Sequence, residues 1–148
     1  MKVLFVFVLF FAVVWAQQHQ IGFPRNGATV KLGSTIVVEV DRPNSIQGST
    51  EAGMVIAIQS CPSFPCSPPS SILGTILYNG PYDPEFHNSG GFFKPPHQNF
   101  SVVIPAPGEF GGPVQVGRAQ LAVARFHMIG AGLSPLLAFA NITLNIIA

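Results

Sequence analysis

Apolar and polar positions alternate with period two in several short stretches of the chain, and turn-forming residues separate those stretches. In residues 34–41, Ile36, Val38 and Val40 face one way while Thr35, Val37 and Glu39 face the other. Arg42-Pro43-Asn44 ends this run, because proline donates no hydrogen bond to a central ladder. Before it, residues 28–32 read as a short edge segment with a turn at Gly33. Residues 52–60 carry Met54, Val55, Ile56 and Ile58 and are expected to be buried on at least one face. Residues 71–78 form the next predicted strand, closed by Asn79-Gly80-Pro81, and residues 98–104 resume the alternation with Phe100, Val102 and Ile104 on one face.

Residues 114–129 fit either one long helix or two strands, since alanine is frequent there and arginine is spaced along it. Alternation favours strand: Leu121, Val123 and Arg125 oppose Gln120, Ala122 and Ala124, and Gly117 would weaken a helix. Gly130-Ala131-Gly132 turns the chain, and residues 137–147 make the last strand, with Ile142, Leu144 and Ile146 inward. About seven strands without a convincing helix predict an all-β protein, a single immunoglobulin-like β-sandwich.

The first residues change the picture of where this domain starts. Met1-Lys2 precedes an unbroken apolar run ending at Trp15-Ala16, after which the chain turns polar at Gln17-Gln18-His19-Gln20. Val14 and Ala16 stand at the small-residue positions of a secretory signal peptide, and the run is shorter than the roughly 20 residues that span a bilayer. The expectation is a signal peptide at 1–16, one domain at 17–148, and a secreted, extracellular product without a membrane anchor. Of seven Lys and Arg, Lys2 leaves with the signal, so six face six Asp and Glu. A neutral, charge-poor surface releases few phosphate counterions, which argues against nucleic acid, and it offers no electrostatic hold on anionic lipid. Cys61 and Cys66, in Cys-Pro-Ser-Phe-Pro-Cys, are expected to join as a disulfide in the oxidising secretory route. So short a loop makes the bond a local staple. Zinc would need two further soft ligands, and the chain has no other cysteine.

Residue-level chemistry is sparse. Asn99-Phe100-Ser101 and Asn141-Ile142-Thr143 satisfy the N-glycosylation triplet, with each asparagine on the face opposite Phe100 or Ile142. Asp83-Pro84-Glu85-Phe86-His87 with His97 offers carboxylates and imidazoles for metal or acid–base work, against the plainer reading of a solvated loop restrained by Pro84. Cleavage after Gln18 would make His19 the mature N-terminus, the arrangement with which copper-dependent secreted oxidases begin, and His87, His97 or His127 would then supply a second imidazole. No Gly-x-Ser-x-Gly elbow, unpaired cysteine or phosphate-binding glycine loop is present. No catalytic residue, metal or cofactor is expected. Tyr82, Phe86, Phe92 and Phe93 lie in the long Pro/Gly-rich segment before Gln98 and form the candidate binding loop. Such aromatics either cover an open end of a sandwich or, if exposed, mark a protein partner.

A succession of short motifs adds a family. Leu73-Gly74-Thr75, Tyr78-Asn79-Gly80-Pro81-Tyr82, residues 98–105 (Gln-Asn-Phe-Ser-Val-Val-Ile-Pro), Met128-Ile129-Gly130-Ala131-Gly132 with Pro135, and residues 141–146 (Asn-Ile-Thr-Leu-Asn-Ile) follow one another. The order resembles the fungal necrosis-inducing secreted effector family. The resemblance covers roughly residues 73–146. It implies a small secreted protein that provokes plant cell death and suppresses immunity by binding receptor-associated plant kinases. It identifies no contact residue. The cysteine loop, the long Phe-rich segment and the stop directly after the last strand depart from the family pattern and imply a distant, basidiomycete-type member.

The function expected from these features is that of a secreted effector-like binding protein, not an enzyme. Two alternatives stand beside it: a copper-dependent secreted oxidase, which needs the His19 terminus, and a carbohydrate- or cell-wall-binding module, which needs Tyr82, Phe86 and Phe93 exposed as a flat platform.

Overall fold

The computed structural model describes residues 19–44, 48–87, 94–106 and 114–148. The expected signal peptide at 1–16, and Phe92 and Phe93, lie outside the described residues. Eight strands are present: β1 (Gln20–Phe23), β2 (Ala28–Lys31), β3 (Thr35–Asp41), β4 (Ser49–Ser60), β5 (Thr75–Gly80), β6 (His97–Val103), β7 (Gly117–Ile129) and β8 (Ser134–Ile147). They form two sheets, a three-stranded β1-β3-β6 and a five-stranded β2-β8-β7-β4-β5. All pairings are antiparallel except β2 with β8, which run parallel.

The period-two pattern builds the core directly. Val38 and Val40 of β3 and Phe100 and Val102 of β6 face Met54, Ile56 and Ile58 of β4, Leu121 and Val123 of β7, and Leu144 and Ile146 of β8. Side chains of this size each contribute about 1.5–3 kcal/mol when taken out of water. The expected β-sandwich is therefore observed, with each inner face supplied by alternate residues of its strands.

Five elements differ from the sequence reading, two of them only in where they start: β4 begins at Ser49 instead of residue 52, and β7 at Gly117 instead of residue 114. The strand count is eight, not about seven, because Gln20–Phe23 pairs with β3. Four residues with Gly22 among them carry too short a pattern to reveal this strand, and two carboxylates lie over the glycine. A Cβ there would stand 2.6 and 2.9 Å from the Asp41 carboxylate oxygens, with Glu39 as close. β5 begins at Thr75, not residue 71, since Gly74 at φ +84° presses its backbone onto Ile58 and Gln59 of β4. It then runs through Asn79-Gly80, which the sequence assigned to the turn. β8 starts at Ser134, ahead of the expected residue 137, because the turn at Gly130–Leu133 returns the chain at once onto Ile129. Residues 117–129 are one continuous strand.

Candidate partner-binding surface and the polar cluster behind it

β7 is apolar on both faces over residues 121–124. While Leu121 and Val123 enter the core, Ala122, Ala124 and Phe126 face outward. Register aligns Val55, Ala124 and Phe139 in one row across β4, β7 and β8, and Gly53, Phe126 and Leu137 in the next. The small residues make a floor and the large ones a wall, and residues 69–73 close the other side. Together they line an open, mainly apolar cavity of about 880 Å³. Phe126 is 45% exposed and Leu137 53%, so the wall is accessible to a partner. An apolar run without alternation at Leu121, Ala122, Val123 and Ala124 is the sequence signal that could have found this face.

Behind that sheet, on the core side, lies a polar cluster. Arg125 follows Leu121 and Val123 inward by alternation and is only 2% exposed. Its Nε donates to Glu51 Oε2 at 2.7 Å, and its Nη2 donates to Glu51 Oε1 and, at 3.0 Å, to Ser49 Oγ. Arg42 approaches the same carboxylate at 3.7 Å, and the Tyr82 ring lies 5.7 Å below the Arg125 guanidinium. Burial pushes the Glu51 carboxyl up, but the Arg125 hydrogen bonds and charge outweigh it and hold the group below its ordinary range. A carboxylate locked in this way is no general base.

His19 is buried beside this cluster, where its Nε2 donates to the Val123 carbonyl at 3.3 Å and leaves Nδ1 without a partner. That arrangement is a neutral imidazole, and burial drives its pKa down to about 4. His127 is likewise pushed below its ordinary value by burial and then by Arg125.

The candidate binding loop divides. Tyr82, one of the candidate binding-loop aromatics that could either cover an end of the sandwich or be exposed, is 3% exposed, stacks near Phe100 and donates its hydroxyl to the Val40 carbonyl at 3.1 Å. Apolar enclosure, with a backbone acceptor for the one polar atom, makes it a core residue and takes it out of any surface platform. Phe86 is 58% exposed. The polar residues nearby are used locally. Glu85 and His97 exchange backbone hydrogen bonds of 3.2 and 3.0 Å, and Asp83 donates its amide to Gln98 Oε1. His97 Nδ1 meets the Pro95 carbonyl at 2.9 Å, and the exposed His87 ring sits edge-on to it, 4.7 Å between centroids. Among the described residues no three His, Cys, Asp or Glu side chains are grouped to hold a metal ion.

Cys61 and Cys66 are joined as a disulfide. Their loop holds Phe64 outward, 77% exposed, with the Arg118 guanidinium 5.2 Å from its ring. Asn99 is exposed on β6 opposite Glu39, and Asn141 is exposed on β8 opposite Ala122. The sequence reading missed the acidic pair on the outer face of the small sheet. Glu39 and Asp41 converge over Gly22, with Lys94 Nζ 2.5 Å from Glu39 Oε2. Burial, and then the Glu39 charge, raise the Asp41 carboxyl above its ordinary value.

Among curated proteins, none matches this chain. A solved structure similar to it is a superoxide reductase (neelaredoxin) from Ignicoccus hospitalis. It is 12% identical, with a TM-score of 0.49, over 88% of this chain and 81% of that one. The model of the Nis1 family matches residues 14–145, nearly the whole chain, and the protein belongs to that family.

Proposed function

We propose that the protein is a secreted, effector-like binding protein that engages a host protein through apolar surface on the outside of its sandwich, without catalysis and without a cofactor. Membership of the Nis1 family carries this reading. The disulfide supports passage through an oxidising compartment. Among the described residues no helix is long and apolar enough to cross a membrane. Among the described residues, exposed apolar surface for the partner includes the groove walled by Phe126 and Leu137 and the loop end at Phe86. The groove is the better candidate, because several large side chains there share one face, whereas Phe86 is a single ring among the described loop residues. The finer reading is that the partner is a receptor-associated plant kinase and that the chain is a distant, basidiomycete-type member. Burial of Tyr82 leaves the carbohydrate-module alternative without one of its three rings.

The test is a pull-down of residues 17–148 against the cytoplasmic kinase domains of plant immune co-receptors, with denatured protein as control. Saturable binding at micromolar affinity that Phe126→Asp abolishes and Phe86→Ala spares supports the groove. Loss with Phe86→Ala alone moves the contact to the loop end. Absence of binding to any kinase domain overturns the kinase assignment.

A further inference from the structure

The acidic pair of the small sheet belongs neither to the core nor to the apolar groove, which lies on the other sheet. Glu39 and Asp41 are alternate residues of β3 and face outward, because Val38 and Val40 face the core. On the paired strand β1 the register shifts between Ile21 and Phe23, which makes Gly22 the extra residue of a bulge. With no side chain at Gly22, both acids lie over β1. One point above the Gly22 Cα is 2.6 and 2.9 Å from the two Asp41 carboxylate oxygens, and Glu39 Oε1 is as close to it. Three oxygens from two acids therefore crowd one small space. Asp41 is only 5% exposed, and its Oδ1 has no hydrogen-bond partner among the described residues. Its Oδ2 receives the Gln20 amide at 3.5 Å, the outer limit of a hydrogen bond. Lys94 meets the other oxygen of Glu39, so one cation faces two acids. The His97 imidazole, across from Asp41 on β6, has its Nδ1 on the Pro95 carbonyl. A buried carboxylate oxygen with nothing to accept from is costly, and a bound cation would remove that cost.

We propose that Glu39, Asp41 and Gln20 form a site for a divalent cation, calcium, which clamps β1 to β3. Asp41 offers both oxygens and Glu39 offers Oε1. The exposed Gln20 side chain, after a half-turn of its amide, offers a third oxygen group, and water completes the shell. Calcium suits this set because it takes six to eight oxygens at about 2.3–2.6 Å and tolerates bidentate carboxylates and irregular geometry, whereas magnesium demands a near-ideal octahedron. Zinc prefers nitrogen and sulfur donors. Two carboxylates make a weak site, with a dissociation constant of about 10⁻⁴–10⁻³ M, the range of extracellular calcium modules. The Lys94 ammonium is the rival cation. Its side chain is 42% exposed on a flexible stem, so it can withdraw as the ion enters. The beneficiary is β1, a four-residue edge strand whose only sheet partner is β3.

The experiment uses the secreted full chain, stripped with EDTA and titrated with calcium chloride or magnesium chloride at constant ionic strength, with binding read by calorimetry and stability by thermal unfolding. Calcium is expected to bind one to one and to raise the melting temperature by a few degrees at about 10 mM, above that dissociation range. Magnesium should do less. Glu39→Gln and Asp41→Asn should each abolish the calcium shift. In EDTA both variants should melt no lower than the wild type, because each relieves repulsion between the two acids, so a lost response will not be a lost fold. Lys94→Gln, which removes the rival cation, should bind calcium a few-fold more tightly. A melting temperature that calcium leaves unchanged, or a calcium shift retained by either Glu39→Gln or Asp41→Asn, overturns the inference.

Discussion

Arg125 and Glu51 form a two-bonded ion pair on the core side of the large sheet, Nε to Oε2 at 2.7 Å, 74 residues apart in sequence. Replacing Arg125 with Met leaves a carboxylate whose side chain is 11% exposed with only Arg42, at 3.7 Å, as its cation, and Glu51→Gln leaves a guanidinium that is only 2% exposed. Breaking such a pair from one side costs about 3–5 kcal/mol, whereas removing both charges is often close to neutral. Urea unfolding should show each single variant destabilised by about 3 kcal/mol and the double variant Glu51→Gln/Arg125→Met recovering most of the loss. Additive losses in the double variant would show that the two residues stabilise the fold separately.

His19 makes stability depend on pH. Its folded pKa, about 4, lies below the ordinary 6.5, because burial disfavours the charged ring. Above pH 6.5 both folded and unfolded chains carry it neutral and its contribution is constant. Between 6.5 and about 4 the unfolded chain takes up a proton that the folded one does not, so stability falls with pH. At ~1.4 kcal/mol per pH unit the loss comes to about 3 kcal/mol at the lower end. His127, also depressed, acts in the same direction. Asp41 acts oppositely: its raised folded pKa makes the folded chain the stronger proton binder as pH falls toward the ordinary carboxylate value. Unfolding measured from pH 7.5 to 4.5 should become easier with acid, and His19→Gln should flatten the slope. A slope unchanged by that substitution would remove His19 as its source.

How far these features were legible depends on the range of the interaction. β3 and β6 alternate cleanly, so their inward residues were correctly placed. Arg125 was placed on the face of Leu121 and Val123 for the same reason. Its partner was not legible, because Glu51 lies on another strand and a bulge between Glu51 and Gly53 shifts the register that brings them together. β1 escaped because its four residues, Gln20–Phe23, are too few to show alternation, and its pairing partner β3 is distant in sequence. The direction of Tyr82 stayed open because an aromatic in a loop rich in Pro and Gly has no periodicity to reveal it. Only the Val40 carbonyl, supplied by β3, shows where its hydroxyl goes.

The Cys61–Cys66 bond closes a loop with a sequence separation of 5. Chain entropy for so short a loop limits its contribution to about 2 kcal/mol. Cys61→Ser/Cys66→Ser should therefore fold, keep its β-type circular dichroism, and lose no more than about that amount in urea. The local effect should be larger than the global one, since the loop carries Phe64 and its contact with Arg118. Amide exchange would be expected to rise in the loop and at the amide of Cys61, which donates to the Arg118 carbonyl, before it rises in β4 and β7.

Tyr82 and Phe86 lie four residues apart in the same loop and have opposite exposures, 3% and 58%. The difference separates folding from recognition. Tyr82→Phe removes only the hydroxyl and leaves the Val40 carbonyl without that donor, a loss of about 1 kcal/mol, whereas Tyr82→Ala also empties a site against Phe100 and should cost about 3–5 kcal/mol. Phe86→Ala touches a side chain with little to lose and should change stability by no more than about 0.5 kcal/mol. Any reduction in partner binding by Phe86→Ala would therefore report contact directly, while a reduction by Tyr82→Ala would follow from its loss of folded protein. Urea midpoints measured beside binding curves for the three variants test this division. A Phe86→Ala variant as unstable as Tyr82→Ala would place Phe86 in the packing of the loop and remove it as a recognition residue.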